Sequence, residues 1–286
     1  MLASGLSFIG VNGIVKYLGT ALPAAEGAFL RYGLGLVFLV PMLRPLLAAR
    51  LSRRAHAVFA ARGFFHALGV ILWFFAMARI PIAEVQAINY LSPVLVTVGA
   101  AIFLGERLSF RRIGAVVVAL FGVLIILRPG FRSVEPGHVA MLGVAVLFAG
   151  SYLSAKKLTE LAASPVIVAM LSIWVTIWMA PFALVVWRAP SWAEVGLLLV
   201  TAGFATLGHL FMTNAFRLAP VTVTQPVTFL QLLWGTLMGY LFFGEAVDVW
   251  VITGGLMIIA AIAFITWREA VLNRRGITPP VSATKV

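Results

Sequence analysis

The sequence contains no cysteine, which removes disulfides, a thiol nucleophile and any thiolate-held metal from consideration. Charge is scarce as well. Only 10% of the 286 residues are Asp, Glu, Lys or Arg, and 9 of them are acids. Soluble domains carry about a quarter charged residues, so too little polar surface exists here to cover a water-facing fold. Disorder is excluded on the same count, because disordered chains are charge-rich and apolar-poor. No acid falls in the middle of an apolar stretch. The sequence also lacks His-Glu-x-x-His, Gly-x-Ser-x-Gly and a Walker loop, and its four histidines, His56, His66, His138 and His209, do not cluster. Without these the chain reads as no enzyme, with no catalytic residue, cofactor or metal site. A channel filter of carbonyls or ringed charges is equally absent.

What is present is apolar: 62% of residues are hydrophobic and the mean hydropathy is +1.07. A helix needs about 20 mostly apolar residues to cross the hydrocarbon core. Ten stretches qualify: 3–19, 24–43, 58–79, 82–105, 113–128, 137–157, 164–187, 194–216, 220–243 and 249–267. Joints such as Gly105-Glu106-Arg107-Leu108-Ser109 carry a stopping Gly and an N-capping Ser. The alternating short segments of a β-barrel are missing. The first stretch has no basic leader and contains Asn12 and Lys16, so it reads as a first span, not a cleavable signal. Its abrupt start suggests that residues once preceded it.

Cations outnumber acids 21 to 9. No basic segment carries interleaved aromatics on a polar face, so a nucleic-acid partner is not expected. Cations instead hold membrane loops in the cytoplasm. With the N-terminus cytoplasmic, fifteen cations fall on that side, among them Arg44, Arg53, Arg62 and Arg111. Five, Lys16, Arg79, Arg128, Arg132 and Arg188, fall on the other, and Arg31 lies within the second stretch. Both termini are therefore expected in the cytoplasm.

The chain repeats itself. Pro81 and Pro220, Gln86 and Gln225, and Glu106 and Glu245 are all 139 positions apart, within the paired runs Ile80-Pro81-Ile82 and Ala219-Pro220-Val221, and Phe103-Leu104-Gly105-Glu106 and Phe242-Phe243-Gly244-Glu245. Several matches in one register indicate duplication. Five spans per half is an odd number, so the second half enters the membrane inverted. The expected architecture is all-α and integral to the membrane: ten transmembrane helices as two inverted five-helix repeats, residues 1–130 and 131–270, around a central cavity. Residues 271–286 form a cytoplasmic tail.

The run Ala78-Arg79-Ile80-Pro81-Ile82-Ala83-Glu84 through Tyr90-Leu91-Ser92-Pro93 to Gly105-Glu106, then Leu127-Arg128-Pro129-Gly130, resembles the EamA domain of the drug/metabolite transporter superfamily. The second copy, Pro220 to Gly244-Glu245, is similar but has Leu232 where the first has Pro93. Within the superfamily the sequence resembles the YddG-type aromatic amino-acid exporters. The resemblance implies a ten-helix fold in a bacterial inner membrane, working as a monomer, that exports aromatic and other neutral amino acids by alternating access. Its partners would be amino acids and the lipid bilayer. The lack of a mid-span carboxylate speaks against proton or Na⁺ coupling through an embedded acid, and the alternatives are efflux of other neutral metabolites or drugs, or a membrane-embedded enzyme.

Polar side chains within spans normally face the bundle interior. The repeat register pairs Asn12 with Ser151, Gln86 with Gln225, and Tyr90 with Phe229. Together with Tyr152, His209 and Gln231 these are the candidate substrate-binding residues, although interhelical hydrogen bonding explains Asn, Gln and Ser equally well. Pro93 should kink the fourth span. His66 reads as a neutral histidine donating to a nearby carbonyl. Arg31 reads as an anchor that snorkels outward or meets Glu26, and Lys16 and Glu84 read as interfacial.

Overall fold

The computed structural model describes residues 1–104, 110–158, 161–218 and 227–277. Among them the chain is helical apart from turns and one isolated bridge between Pro129 and Arg132. The helices are α1 (Leu2–Leu18), α2 (Ala24–Gly35), α3 (Leu43–Ala48), α4 (Arg53–Met77), α5 (Ile82–Asn89), α6 (Leu91–Leu104), α7 (Phe110–Leu127), α8 (Pro136–Leu158), α9 (Ser164–Val185), α10 (Trp192–Leu218), α11 (Leu230–Phe243) and α12 (Val249–Ile277). Among the described residues eight helical segments are long and apolar enough to cross a membrane, and α1 and α11 are shorter apolar helices.

Among the described residues two spans are interrupted close to a proline, and the ninth turns at Phe229 just before α11. Between α2 and α3 the residues Leu36–Met42 form a 3-10 helix that contains Pro41. A proline has no N–H to give and crowds the carbonyl four residues back, so the helix tightens there. In the fourth span the kink expected at Pro93 falls at Tyr90, between α5 and α6. That is one turn upstream, where the proline ring displaces the helical path. Helix ends follow their residue chemistry. The Ser52 side chain accepts the Ala55 N–H at 3.1 Å. Gly244, with φ of 64°, caps α11 in the left-handed region while the Glu245 N–H returns to the Gly239 carbonyl.

The main packing pairs are α4 with α8, α7 with α12, α1 with α10, α4 with α9, and α2 with both α9 and α10. Lipid offers no hydrophobic driving force between helices, so close backbone approach matters. The α7–α12 crossing shows it most clearly. A Cβ on Gly254 would lie 2.4 Å from the Gly122 carbonyl oxygen, and one on Gly122 would lie 2.7 Å from that of Gly254. Large apolar side chains such as Phe121 and Leu124 on α7, and Ile177 and Leu184 on α9, face outward. Water would not tolerate that belt; hydrocarbon does.

The two ends of the bundle differ in charge. At one end the acids and bases pair. Lys16 meets Glu245 at 2.8 Å, Arg132 meets Glu84 at 2.8 Å, Arg128 meets Asp248, and Arg188 meets Glu194. Glu84 is only 3% exposed and also accepts from His138. His138 Nδ1 accepts the Glu135 N–H, so its Nε2 carries the proton that it donates to Glu84. Hydrogen bonds to Glu84 raise the Arg132 guanidinium further above its usual range. Lys16 and Glu84 are thus parts of a partly buried network, not snorkelling side chains. The opposite helix ends carry Arg44, Arg50, Arg53, Arg54 and Arg111.

Candidate functional site

Three helices bring a polar chain into the bundle interior. His66 lies midway along α4, Tyr32 on α2 and Ser151 on α8. The Tyr32 hydroxyl is 3.0 Å from His66 Nε2, and the Ser151 hydroxyl is 3.3 Å from His66 Nδ1. Either tautomer of a neutral imidazole satisfies one partner as donor and the other as acceptor. The ring also stacks on Phe148, with centroids 5.0 Å apart and planes 21° apart. His66 therefore bonds side chains, whereas the sequence pointed to a backbone carbonyl.

Two arginines complete the cluster. Arg62 precedes His66 by one turn on the same face of α4, and its Nε and Nη1 are buried with no hydrogen-bond partner. Arg31 lies with its guanidinium carbon 4.1 Å from the centre of the Tyr32 ring, a cation–π contact. Both lie within electrostatic reach of His66 and of His209. Glu26, the partner considered for Arg31, instead accepts the Arg188 backbone N–H at 3.1 Å. Tyr152 is 44% exposed, packs 6.1 Å from Phe148, and lies within electrostatic reach of Tyr32 and Arg62. His209 is also exposed and meets Phe8 edge-on at 5.1 Å. Tyr152 and His209 thus keep accessible surface within electrostatic reach of the buried Arg62 nitrogens.

The other candidates fall into a second group. Tyr90 and Phe229 touch edge-to-face, centroids 5.6 Å apart, and the Tyr90 hydroxyl donates to the Thr228 carbonyl at 3.1 Å. Gln86 is buried and packs against α11, where its Cγ lies 3.1 Å from the place a Gly235 Cβ would occupy. Gln231 packs against Gly5 of α1. Asn12 is 4% exposed with Nδ2 unpartnered, and no hydrogen bond joins it to Ser151. Gln225 lies outside the described residues. The repeat register thus brings one of its pairs, Tyr90 and Phe229, into direct contact.

Sequence reading did not select Arg31, Tyr32, Arg62 or Phe148. Arg62 was counted with the loop cations because it stands nine residues after Arg53, near a span start. The signal lay in the one-turn spacing of Arg62 and His66, which puts two cation-capable groups on one helix face. A pocket of about 80 Å³ also opens beside Val15, Phe74 and Arg79 at the acid–base end. Its one charged residue, Arg79, is folded onto the Phe75 ring at 3.6 Å, so it offers no ligand-seeking group. Among the described residues no three His, Asp or Glu side chains stand together as a metal site.

Comparison with known proteins bears on this arrangement. A crystal structure that is 18% identical superimposes with a TM-score of 0.54, covering 96% of this chain and 99% of that one; it speaks to the fold alone. The riboflavin transporter of Vibrio cholerae is 29% identical, over 96% of this chain and 94% of its own. The pseudopaline exporter CntI of Pseudomonas aeruginosa is 30% identical, over 90% and 91%. The S-adenosylmethionine uptake transporter of Rickettsia prowazekii is 26% identical, over 89% and 86%. None of these three carries an amino-acid exporter's name, so the comparison supports a transporter without the aromatic amino-acid subtype. The EamA-like transporter family matches residues 1–128 and again 135–267, and the chain belongs to that family.

Proposed function

We propose that this chain is a bacterial inner-membrane secondary transporter that moves a small organic solute by alternating access between two inverted five-helix halves. The observation that carries it is the polar, aromatic cluster of Tyr32, His66, Phe148 and Ser151 set inside an apolar bundle. Such groups are costly in lipid and mark substrate paths. The helix contacts support the inverted repeat. Exchanging each helix with its counterpart 139 residues on turns the α4–α8 contact into α10–α1, and α4–α9 into α10–α2. It leaves α7–α12 and α2–α9 unchanged. Residues that touch their own counterparts, as Tyr90 and Phe229 do, stand on the pseudo-two-fold axis.

The halves are residues 1–130 and 131–270, with a tail from 271. In this reading the paired acid–base end faces outward, the arginine-rich end faces the cytoplasm, and both termini lie on the cytoplasmic side; the excess of cations at that end supports it. Transport runs outward in a monomer, without an embedded carboxylate to couple it to protons or Na⁺. Asn12, Gln86, Tyr90, Ser151, Tyr152, His209, Phe229 and Gln231 line or flank the path, and aromatic and neutral amino acids are the first solutes to test. The relatives' names favour a wider class of metabolites as the second reading. Counterflow in proteoliposomes, with labelled amino acids alongside riboflavin and S-adenosylmethionine, decides between them. Exchange of an amino acid supports the first reading, and exchange of the larger solutes alone supports the second. No exchange of any solute would sink both.

A further inference from the structure

Among the described residues no carboxylate pairs with Arg31 or Arg62 of the interior cluster. Arg31 and Arg62 both lie within electrostatic reach of His66 and of His209. Every carboxylate described with partners is engaged at the acid–base end: Glu26 with the Arg188 N–H, Glu84 with Arg132 and His138, Glu135 with the Ser133 hydroxyl, Glu194 with Arg188, Glu245 with Lys16, and Asp248 with Arg128. Arg62 keeps two buried donors unsatisfied. Buried guanidinium groups are normally paired, because an unpaired charge in a low-dielectric interior is expensive. The unmatched donors lie within electrostatic reach of the accessible Tyr152 and of Tyr32, whose rings, with Phe148 beside Tyr152, offer flat apolar faces. A solute that supplies both an anionic group and a planar ring satisfies both features.

We infer that the substrate of this site is an organic anion, a carboxylate or phosphate attached to an aromatic or planar ring, with Arg62 and Arg31 receiving the charge and Phe148, Tyr32 and Tyr152 packing the ring. The inference rests on the transport reading and narrows it. A zwitterionic amino acid brings an ammonium as well, and among the described residues no carboxylate stands in the cluster to receive it.

The test uses ring-matched probes on the full chain purified in detergent, read as ligand-induced stabilisation against heat. Indole-3-acetate, tryptophan and tryptamine share one ring system and differ in charge. Flavin mononucleotide and riboflavin form a second set, which separates a phosphate from a neutral group. The expected result is half-maximal stabilisation by an anionic member at about a tenfold lower concentration than by its neutral, zwitterionic or cationic counterparts. A response to indole-3-acetate alone identifies a carboxylate site, and one to flavin mononucleotide alone a phosphate site. Arg62→Gln should erase the preference, and Arg62→Lys should retain part of it. If Arg62→Gln does not purify as a single species, Arg31→Gln serves in its place. The inference is overturned if neutral or amine probes match the anions, if no anion stabilises the protein, or if the preference survives the arginine variants. Proteoliposome exchange of tryptophan with no anion preference sinks this inference alone, whereas absence of all exchange sinks the transport reading.

Discussion

Glu245 joins the two halves of the chain at the acid–base end. Its Oε1 lies 2.8 Å from Lys16 Nζ on α1, and its Oε2 accepts the Ile82 N–H at the start of α5, also at 2.8 Å. The Lys16 ammonium donates onward to the Ile80 carbonyl. The two side chains are 16% and 12% exposed, so solvent screens the pair only in part. Glu245→Ala removes the ion pair and the acceptor of a backbone N–H. Hydrogen bonds to charged groups are worth about 1.5–3 kcal/mol; with the partly screened pair added, the loss is about 3 kcal/mol. If this end closes the substrate path, its opening equilibrium rises roughly a hundredfold. The absence of native cysteine makes this measurable with a single introduced thiol. Asn12→Cys, one turn inward of Lys16, should react slowly with a membrane-impermeant maleimide added outside intact cells, and much faster when Glu245→Ala is added. Labelling tracks the open population when reclosing is fast. Met179→Cys, buried in α9, whose C-terminal end leads to Arg188 at the same acid–base end, should be unaffected and so reports any general loosening. An unchanged rate at position 12 refutes the idea that Glu245 holds this end shut.

Gly254→Ala should lower the melting temperature despite alanine's better helix propensity. The roughly 1 kcal/mol gained is outweighed by an overpacking cost of about 1–3 kcal/mol, since the new Cβ would lie 2.4 Å from the Gly122 carbonyl. Gly196→Ala, where nothing lies within 4 Å, should leave the melt unchanged or raised, and equal melts for the two variants would refute the clash. Glu84→Gln leaves the partly exposed Arg132 without its charged partner and should cost about 1.5–3 kcal/mol, as loss of a hydrogen bond to a charged group does, read as a fall in urea midpoint of the purified protein. A C-terminal alkaline phosphatase fusion should be inactive while the corresponding green fluorescent fusion glows, and the opposite pattern reverses the proposed topology.

Composition alone determined that this chain lives in a membrane and is built of helices, because lipid leaves the backbone almost no other way to satisfy its hydrogen bonds. The 139-residue register made Tyr90 and Phe229 a pair before any coordinates, and they touch. Helix stops at Gly19 and Gly244, and the starts after Pro81 and at Pro136, were written in residue chemistry. Other features depended on which helices become neighbours. Arg62 and Arg31 look like a loop cation and an anchor in one dimension; only the packing of α2, α4 and α8 gathers them around His66. Asn12 and Ser151 share a register yet have different surroundings, because Ser151 meets His66 while the buried Asn12 Nδ2 has no hydrogen-bond partner among the described residues. Periodicity says which residues share a face of one helix, but the cost of a buried charge is settled between helices, by what the neighbouring face provides.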